Sequence, residues 1–138
     1  VRIGGGLNHR FSLSDMVMLK DNHIDAAGGI SAAVTSMRHY LNNKGLKLQI
    51  EVETRNLAEV REALEADVDV IMLDNMTTEM MREAVQLIAG KSKVEASGGI
   101  TERNLREIAE TGVDFISLGL LTHSVRSLDL SLKLVRTT

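Results

Sequence analysis

The 138-residue sequence contains no cysteine, no proline and no tryptophan. The lack of cysteine excludes disulfides, a thiol nucleophile and metal sites with thiolate ligands. Aromatic residues make up only 2% of the chain, which removes the stacking platforms that bind single-stranded nucleic acid, and the net charge of -3 disfavours a nucleic-acid module. No apolar run approaches the roughly 20 residues of a membrane span. We therefore expect no nucleic-acid and no membrane partner.

The remaining composition is that of an ordinary globular domain, with 43% hydrophobic and 25% charged residues. The sequence begins with Val1 rather than Met, and its opening VRIGGG is typical of the middle of a domain. It lacks the basic and apolar regions of a signal peptide. We expect a cytoplasmic protein, represented here by a piece of a longer chain.

Short apolar segments alternate with amphipathic ones along the chain. The predicted strands, typical of strands buried on both faces, are Met16–Lys20, Leu46–Glu53, Val68–Asp74, Lys93–Ser97 and Phe115–Gly119. Helical spacing predicts helices over Ile30–Asn43, from Asn56, from Thr77 or Thr78 to Gly90, from Thr101 to Gly112, and over roughly Leu128–Arg136. This alternation predicts an α/β fold with a parallel sheet.

An open doubly wound sheet and a (β/α) barrel both fit this alternation. Polar residues follow nearly every predicted strand, and a ring of functional groups at strand ends is typical of a barrel. Five strands are too few to close one. We therefore predict an incomplete (β/α) barrel, to which a missing N-terminal part supplies at least one more strand.

Two polar motifs predict a pocket for a small polyanion. GGGLNHR presents His9 and Arg10 side by side, and LKDNHI places Lys20 at the end of a strand. A flexible loop for the first motif and an Asp-Asn turn for the second are the alternatives. The glycines do not form a P-loop, because no GKS or GKT follows.

Glu53 and Asp74 each end a predicted strand, one βα unit apart, so their carboxylates are expected to lie near each other. Such hard oxygen ligands suit Mg²⁺, which takes few protein ligands and adds substrate phosphate oxygens. Glu51 alternates with Glu53 and is a rival candidate. Ion pairs with Lys20 or Arg10 are a compatible alternative. The histidines lack the spacing of a zinc hydrolase.

Two glycine-containing loops predict a phosphate site. SGGI places bare amides before a predicted helix, GLLTHS is similar, and the last two loops of barrels often bind phosphate. A tight βα turn is the alternative. The residues thus predict a phosphate-bearing, Mg²⁺-bound substrate and an anionic co-substrate, and they leave phosphoryl transfer, aldol chemistry and phosphoribosyl transfer open.

The motifs GGGLNHR, LKDNHI, EVET, VIMLDNM, VEASGGI and GVDFISLGLLTHS together resemble quinolinate phosphoribosyltransferase, in order and over essentially the whole chain. The resemblance implies an enzyme of de novo NAD synthesis that converts quinolinate and phosphoribosyl pyrophosphate to nicotinate mononucleotide, pyrophosphate and carbon dioxide with Mg²⁺. The alternatives are a truncated, non-catalytic chain that binds phosphate or only oligomerises, and a ModD-like paralogue with another anionic substrate.

The resemblance also implies site residues, carried over position by position. They surround the quinolinate carboxylates (His9, Arg10 and Lys20), the ribose and Mg²⁺-pyrophosphate (Glu53 and Asp74), and the 5′-phosphate (Ser97, Gly98, Gly119 and His123). Lys20, Glu53 and Asp74 are the expected catalytic residues, and Glu53 and Asp74 are the expected Mg²⁺ ligands, directly or through water.

Members of the resembled family are longer. They have an N-terminal α/β domain and an upstream barrel strand that ends in Thr-Arg-Lys-Thr, whose Arg and Lys contact substrate. The resemblance therefore implies that residues 1–138 form the C-terminal part of the (β/α) barrel domain, and that the N-terminal domain and the first barrel strand are absent. The N-terminal domain of a dimer partner completes the pocket. The resemblance therefore implies a homodimer or higher homo-oligomer for the full-length protein, and little activity for these 138 residues alone.

Overall fold

A computed structural model describes residues 1–10, 12, 15–123 and 129–133 of the chain. After a short 3-10 turn at Arg2–Gly4, the elements are β1 Val17–Leu19, α1 Asp21–Ala27, α2 Ile30–Lys44, β2 Ile50–Thr54, α3 Leu57–Glu65, β3 Val70–Asp74, α4 Thr78–Ile88, β4 Lys93–Ser97, α5 Leu105–Ala109, β5 Phe115–Ile116 and α6 Leu120–His123. None of the helices described is long and apolar enough to cross a membrane.

The strands form one parallel sheet in the order β1-β2-β3-β4-β5. Helices follow the strands along the chain, and β1 and β5 are the edges of the described sheet. The predicted incomplete (β/α) barrel is therefore confirmed. Because all five strands are parallel, their carboxyl ends meet at one edge of the sheet, which we call the mouth.

The two faces of the sheet differ in chemistry. One face packs against the helices and is apolar: Val52, Ile71 and Ala96 are 0% exposed and belong to the core with helix residues such as Val60 and Ile88. Side chains alternate along a strand, so the neighbouring positions point to the opposite, inner face. That face carries carboxylates, among them Glu51, Glu53 and Glu95. The alternation of side chains along the strands thus places acidic groups on the inner face of the sheet.

The starts of two helices are fixed by capping side chains. Asn56 Oδ1 accepts a hydrogen bond of 3.0 Å from the backbone N–H of Glu59, and Thr77 Oγ1 accepts one of 3.3 Å from Met80. Each cap satisfies a donor that the first turn would leave free. These caps confirm the helix starts predicted at Asn56 and Thr77.

Other boundaries differ from the sequence prediction. β2 begins at Ile50, not Leu46, and β5 ends at Ile116, not Gly119. α5 begins at Leu105 rather than Thr101, because Asn104 Oδ1 accepts 2.7 Å and 3.1 Å bonds from the Thr101 N–H and hydroxyl and stabilises a turn instead. α1 was not predicted at all: the polar KDNH run opens a helix rather than forming an Asp-Asn turn.

The helix predicted over Leu128–Arg136 is wrong where the structure describes it. Residues 129–133 have no regular secondary structure, and Leu130 and Leu132 are 85% and 91% exposed. An amphipathic helix gains most of its stability from packing its apolar face, and these side chains have no such contact. Residues 128 and 134–136 lie outside the described part of the chain.

Candidate functional site at the mouth of the sheet

The mouth brings four of the predicted site residues to neighbouring strand ends. Lys20 directly follows β1, Glu53 is the penultimate residue of β2, and Asp74 and Ser97 end β3 and β4. Asp74 and Ser97 are partners in the β3–β4 register. The sheet topology itself therefore places an ammonium, two carboxylates and a hydroxyl along one edge.

Electrostatic interactions link Glu53 to Asp74 and Lys20. Burial raises the pKa of Glu53 above its usual range, the negative charge of Asp74 raises it further, and the positive charge of Lys20 opposes the shift. The two carboxylates thus repel each other, which a divalent cation between them would relieve. This hard-oxygen donor set fits Mg²⁺ completed by substrate oxygens.

Asn75 connects the carboxylate of Asp74 to the glycine loop, a role that the sequence did not reveal. Its Nδ2 donates a hydrogen bond of 2.8 Å to Asp74 Oδ2, and its backbone N–H donates one of 2.9 Å to the carbonyl of Ser97. Its backbone is left-handed, with φ +52°. A Cβ added to Gly98 would lie 2.4 Å from Asn75 Oδ1, so only glycine fits beneath this side chain.

The Gly98-Gly99 loop presents two amides that are free of bonds within the part of the chain the structure describes. Both glycines have positive φ, +83° and +63°. Asn104 Nδ2 donates a bond of 3.1 Å to the Gly99 carbonyl and holds the loop. A cavity of about 280 Å³ beside it is lined in part by Asn75 and Thr77. Since α5 starts only at Leu105, these amides are loop donors and not the first turn of a helix.

His9 contacts two buried glutamates of the inner face. Its Nε2 lies 3.0 Å from Glu51 Oε2 and 3.4 Å from Glu95 Oε2, and the three ligand atoms of this cluster lie within 4.8 Å of one another. Burial, followed by the charge of Glu95, raises the pKa of Glu51 to about 8, while Arg10 opposes the shift. Glu51 thus faces His9. Glu95 was not among the predicted site residues. The one feature of the sequence that could have indicated it is its position two residues before Ser97, on the same predicted strand.

The remaining predicted residues are only partly brought together. Arg10 donates a bond of 3.4 Å to the Met16 carbonyl beside β1. Among the described residues, no hydrogen bond or ion pair joins Lys20 to His9 or Arg10. Gly119 accepts a bond of 2.9 Å from the His123 N–H at the start of α6, and within the described ranges neither is hydrogen-bonded to the Gly98 loop.

A second cavity, of about 380 Å³, lies at the opposite, amino ends of the strands. Its lining includes Arg38, Asp67 and Lys93, none of which was predicted to be functional. Lys93 forms an ion pair of 2.6 Å with Asp114. The site residues predicted at the strand ends lie at the opposite edge of the sheet, at the mouth.

Comparison with known proteins identifies close relatives. Residues 1–133 match the family model described as quinolinate phosphoribosyl transferase, C-terminal domain. A Nicotiana tabacum protein named quinolinate phosphoribosyltransferase (decarboxylating) 2a, mitochondrial, is 50% identical over 97% of this chain and 42% of its own length. A chloroplastic nicotinate-nucleotide pyrophosphorylase (carboxylating) of Arabidopsis thaliana is 50% identical over 97% of this chain and 43% of its own length.

Solved structures of related proteins are also similar to this chain. NadC from Streptococcus pyogenes superposes with a TM-score of 0.87 at 47% identity, over 96% of this chain and 45% of that one. A thiamine phosphate pyrophosphorylase from Pyrococcus furiosus, at 24% identity and a TM-score of 0.56, shares the fold alone. The chain thus spans less than half the length of the two plant proteins and of the Streptococcus pyogenes protein.

Proposed function

Because this chain belongs to the quinolinate phosphoribosyltransferase family, we propose that it forms the C-terminal barrel part of an enzyme that converts quinolinate and phosphoribosyl pyrophosphate to nicotinate mononucleotide, pyrophosphate and carbon dioxide. The observation that carries this proposal is that Glu53, Asp74 and the amides of Gly98 and Gly99, which bond none of the described residues, lie at one mouth. In the full-length protein, the reaction would serve de novo NAD synthesis.

The quinolinate carboxylates are assigned to His9, Arg10 and Lys20. All three come from the loop before β1 or from the end of β1, next to the acidic inner face. Polar and cationic side chains at fixed positions would orient the pyridine nitrogen toward the ribose, and this positioning lowers the barrier by converting a bimolecular encounter into a bound geometry. Arg10 suits a carboxylate well because its planar guanidinium donates in pairs.

The ribose and pyrophosphate are assigned to Glu53 and Asp74. These carboxylates would stabilise the positive charge that develops on the ribose as pyrophosphate leaves, with Asp74 held in place by Asn75. The same residues would hold Mg²⁺, directly or through water. When bound, the ion would neutralise charge on the leaving pyrophosphate. Lys20 lies close enough to act electrostatically on Glu53 and completes the catalytic set.

The 5′-phosphate is assigned to Ser97, Gly98, Gly119 and His123. Support comes from the amides of the Gly98-Gly99 loop, which make no hydrogen bond to any described residue and could donate to phosphate oxygens. Gly119 and His123 approach each other at the start of α6 and would add donors from the next loop.

The whole protein is proposed to be a homodimer or higher homo-oligomer, in which the chain's own preceding segment and the N-terminal domain of the partner supply the rest of the pocket. This chain spans 42% and 43% of the length of the tobacco and Arabidopsis relatives, and the described sheet is open at β1 and β5. We therefore propose that residues 1–138 alone turn over quinolinate poorly. A cytoplasmic location stays a prediction, since the names of these plant relatives place them in mitochondria and chloroplasts.

A substrate comparison tests this function. A full-length chain, meaning these residues together with the preceding part seen in the relatives, is supplied with phosphoribosyl pyrophosphate and either quinolinate or nicotinate. The proposal predicts carbon dioxide and nicotinate mononucleotide from quinolinate, and no carbon dioxide from nicotinate, which lacks the carboxylate that is lost. Absence of product from quinolinate, with turnover of another anionic acceptor, would instead support the paralogue with a different substrate.

A further inference from the structure

Asn104 lies directly before α5, at the position where α3 and α4 have a capping side chain. Asn56 caps α3 and Thr77 caps α4, each by accepting a hydrogen bond from the first turn of its own helix. The side chain of Asn104 makes no such bond to α5. A capping bond satisfies a donor that the helix start would otherwise leave free, so α5 gives up this stabilisation. The Asn104 amide is used elsewhere.

The side chain of Asn104 reaches back into the loop between β4 and α5. Its Oδ1 accepts hydrogen bonds of 2.7 Å and 3.1 Å from the N–H and the hydroxyl of Thr101. Its Nδ2 donates one of 3.1 Å to the carbonyl of Gly99. One side chain therefore holds both ends of the segment 99–101.

The bond to the Gly99 carbonyl also sets the direction of the following N–H group. None of the described peptide bonds is cis. In a trans peptide the C=O and the next N–H point in opposite directions, so the N–H of Ile100 points away from Asn104. It makes no hydrogen bond to any residue that the structure describes, and neither do the N–H groups of Gly98 and Gly99. The loop thus presents consecutive donors that an anion could use.

Packing does not hold the loop from the side of Asn104. The cavity of about 280 Å³ lies there, and Gly98, Gly99 and Asn104 form part of its lining. Both glycines adopt positive φ, which leaves the backbone many alternative conformations. Among the described residues, Asn104 is the only one that hydrogen-bonds the backbone of either glycine. The orientation of the loop therefore depends on this bond.

We propose that Asn104 is a positioning residue that fixes the Gly99–Ile100 peptide, so that the N–H groups of the loop bind the 5′-phosphate of the phosphoribosyl substrate. This inference rests on the proposed function, which assigns that phosphate to Gly98. Asn104 acts through the backbone and does not touch the phosphate. Successive backbone N–H groups form concave sites for anions, and such a site works only while its donors keep their directions.

The test uses two variants of the full-length chain. Asn104→Ala removes both sets of bonds, whereas Asn104→Ser keeps a good capping residue but has no amide to reach Gly99. The probe is ribose 5-phosphate, and its Kd is measured by isothermal titration calorimetry without turnover. We expect both variants to bind it at least about tenfold more weakly, because a hydrogen bond to a charged group is worth that much. The Kd for quinolinate, which carries no phosphate, should stay unchanged.

Asn56→Ala is the matched control, because Asn56 also precedes a helix but hydrogen-bonds its own helix and not the loop. It should lower the resistance to urea, since a cap is lost, and leave the Kd for ribose 5-phosphate unchanged. Unaltered binding of ribose 5-phosphate in the Asn104 variants would overturn the proposal. An equal loss for quinolinate would overturn it too, since that indicates a general structural role, as would an unmodified chain that does not bind ribose 5-phosphate.

Should Asn104→Ala fail to fold, Asn104→Ser gives the same readouts. The proposed function is judged separately, by formation of nicotinate mononucleotide. If the unmodified chain forms no product but the Asn104 variants lose ribose 5-phosphate selectively, the proposed function fails and the role of Asn104 stands. If the unmodified chain turns over and the variants bind ribose 5-phosphate as tightly as it does, only the role of Asn104 fails.

Discussion

Replacing Gly98 by alanine should displace the Asn75 side chain that holds Asp74 at the mouth, and this effect can be separated from backbone strain alone. The backbone at Gly98 is left-handed, with φ +83°, which costs a residue with a Cβ about 1–2 kcal/mol. The new Cβ would also lie 2.4–2.6 Å from three atoms of the Asn75 amide. That side chain must move and lose its bond to Asp74, which adds about 1 kcal/mol.

Gly28→Ala is the control for this substitution. Gly28 has φ +84° and nothing within 4 Å of an added Cβ, so it reports the backbone strain alone. Urea unfolding of full-length chains should show Gly98→Ala destabilised by about 2–3 kcal/mol and Gly28→Ala by about 1–2 kcal/mol. Only Gly98→Ala should also lower kcat/KM for phosphoribosyl pyrophosphate, by at least about tenfold, because Asp74 loses its fixed orientation.

A double variant completes the comparison. Asn75→Gly removes the amide and tolerates the left-handed backbone, so adding Gly98→Ala to it should cost no more than Gly28→Ala costs in the unmodified chain. If Gly98→Ala and Gly28→Ala are equally destabilising and equally active, Asn75 does not position the loop and the reasoning is refuted.

Further predictions concern the anion pocket and the buried carboxylates. Arg10→Lys should raise the KM for quinolinate in steady-state assays, because lysine lacks the planar pair of donors; an unchanged KM would place Arg10 outside the pocket. The folded-state pKa of Glu51, about 8, exceeds the ordinary glutamate value of 4.5, so the folded chain keeps a proton that the unfolded chain releases. Stability should therefore fall as the pH rises from about 4.5 to about 8, and Glu51→Gln should flatten this dependence in urea titrations; an unaltered slope would contradict the shift.

The architecture was predictable because local signals and the global fold agree. Continuous apolar runs marked the strands, and capping side chains at Asn56 and Thr77 marked two helix starts. The start of α5 was mistaken because a local bond from the Thr101 N–H to Asn104 Oδ1 competes with the helix. In the described part of the last predicted helix, Leu130 and Leu132 are exposed and pack against no other element. The periodicity of a sequence does not show whether such a packing surface exists.

The site was only partly predictable for a different reason. Residues at strand ends, such as Asp74, follow from parallel topology, since their position in sequence fixes the edge at which they lie. Glu95 and Asn75 acquire their roles from tertiary contacts. Glu95 contacts His9, which is far away in the chain, and Asn75 matters because it lies over Gly98. A single sequence does not record such pairings.

The most direct measurement is formation of nicotinate mononucleotide from quinolinate and phosphoribosyl pyrophosphate by three proteins: the full-length chain, its Asp74→Ala variant and residues 1–138 alone. The account predicts turnover by the first, a loss of orders of magnitude in the second, and little or none in the third, since lost positioning groups are costly. Full activity of the Asp74→Ala variant would contradict the role assigned to Glu53 and Asp74. Full activity of residues 1–138 alone would contradict the proposal that they hold only part of the pocket. No product from the full-length chain would contradict the proposed function.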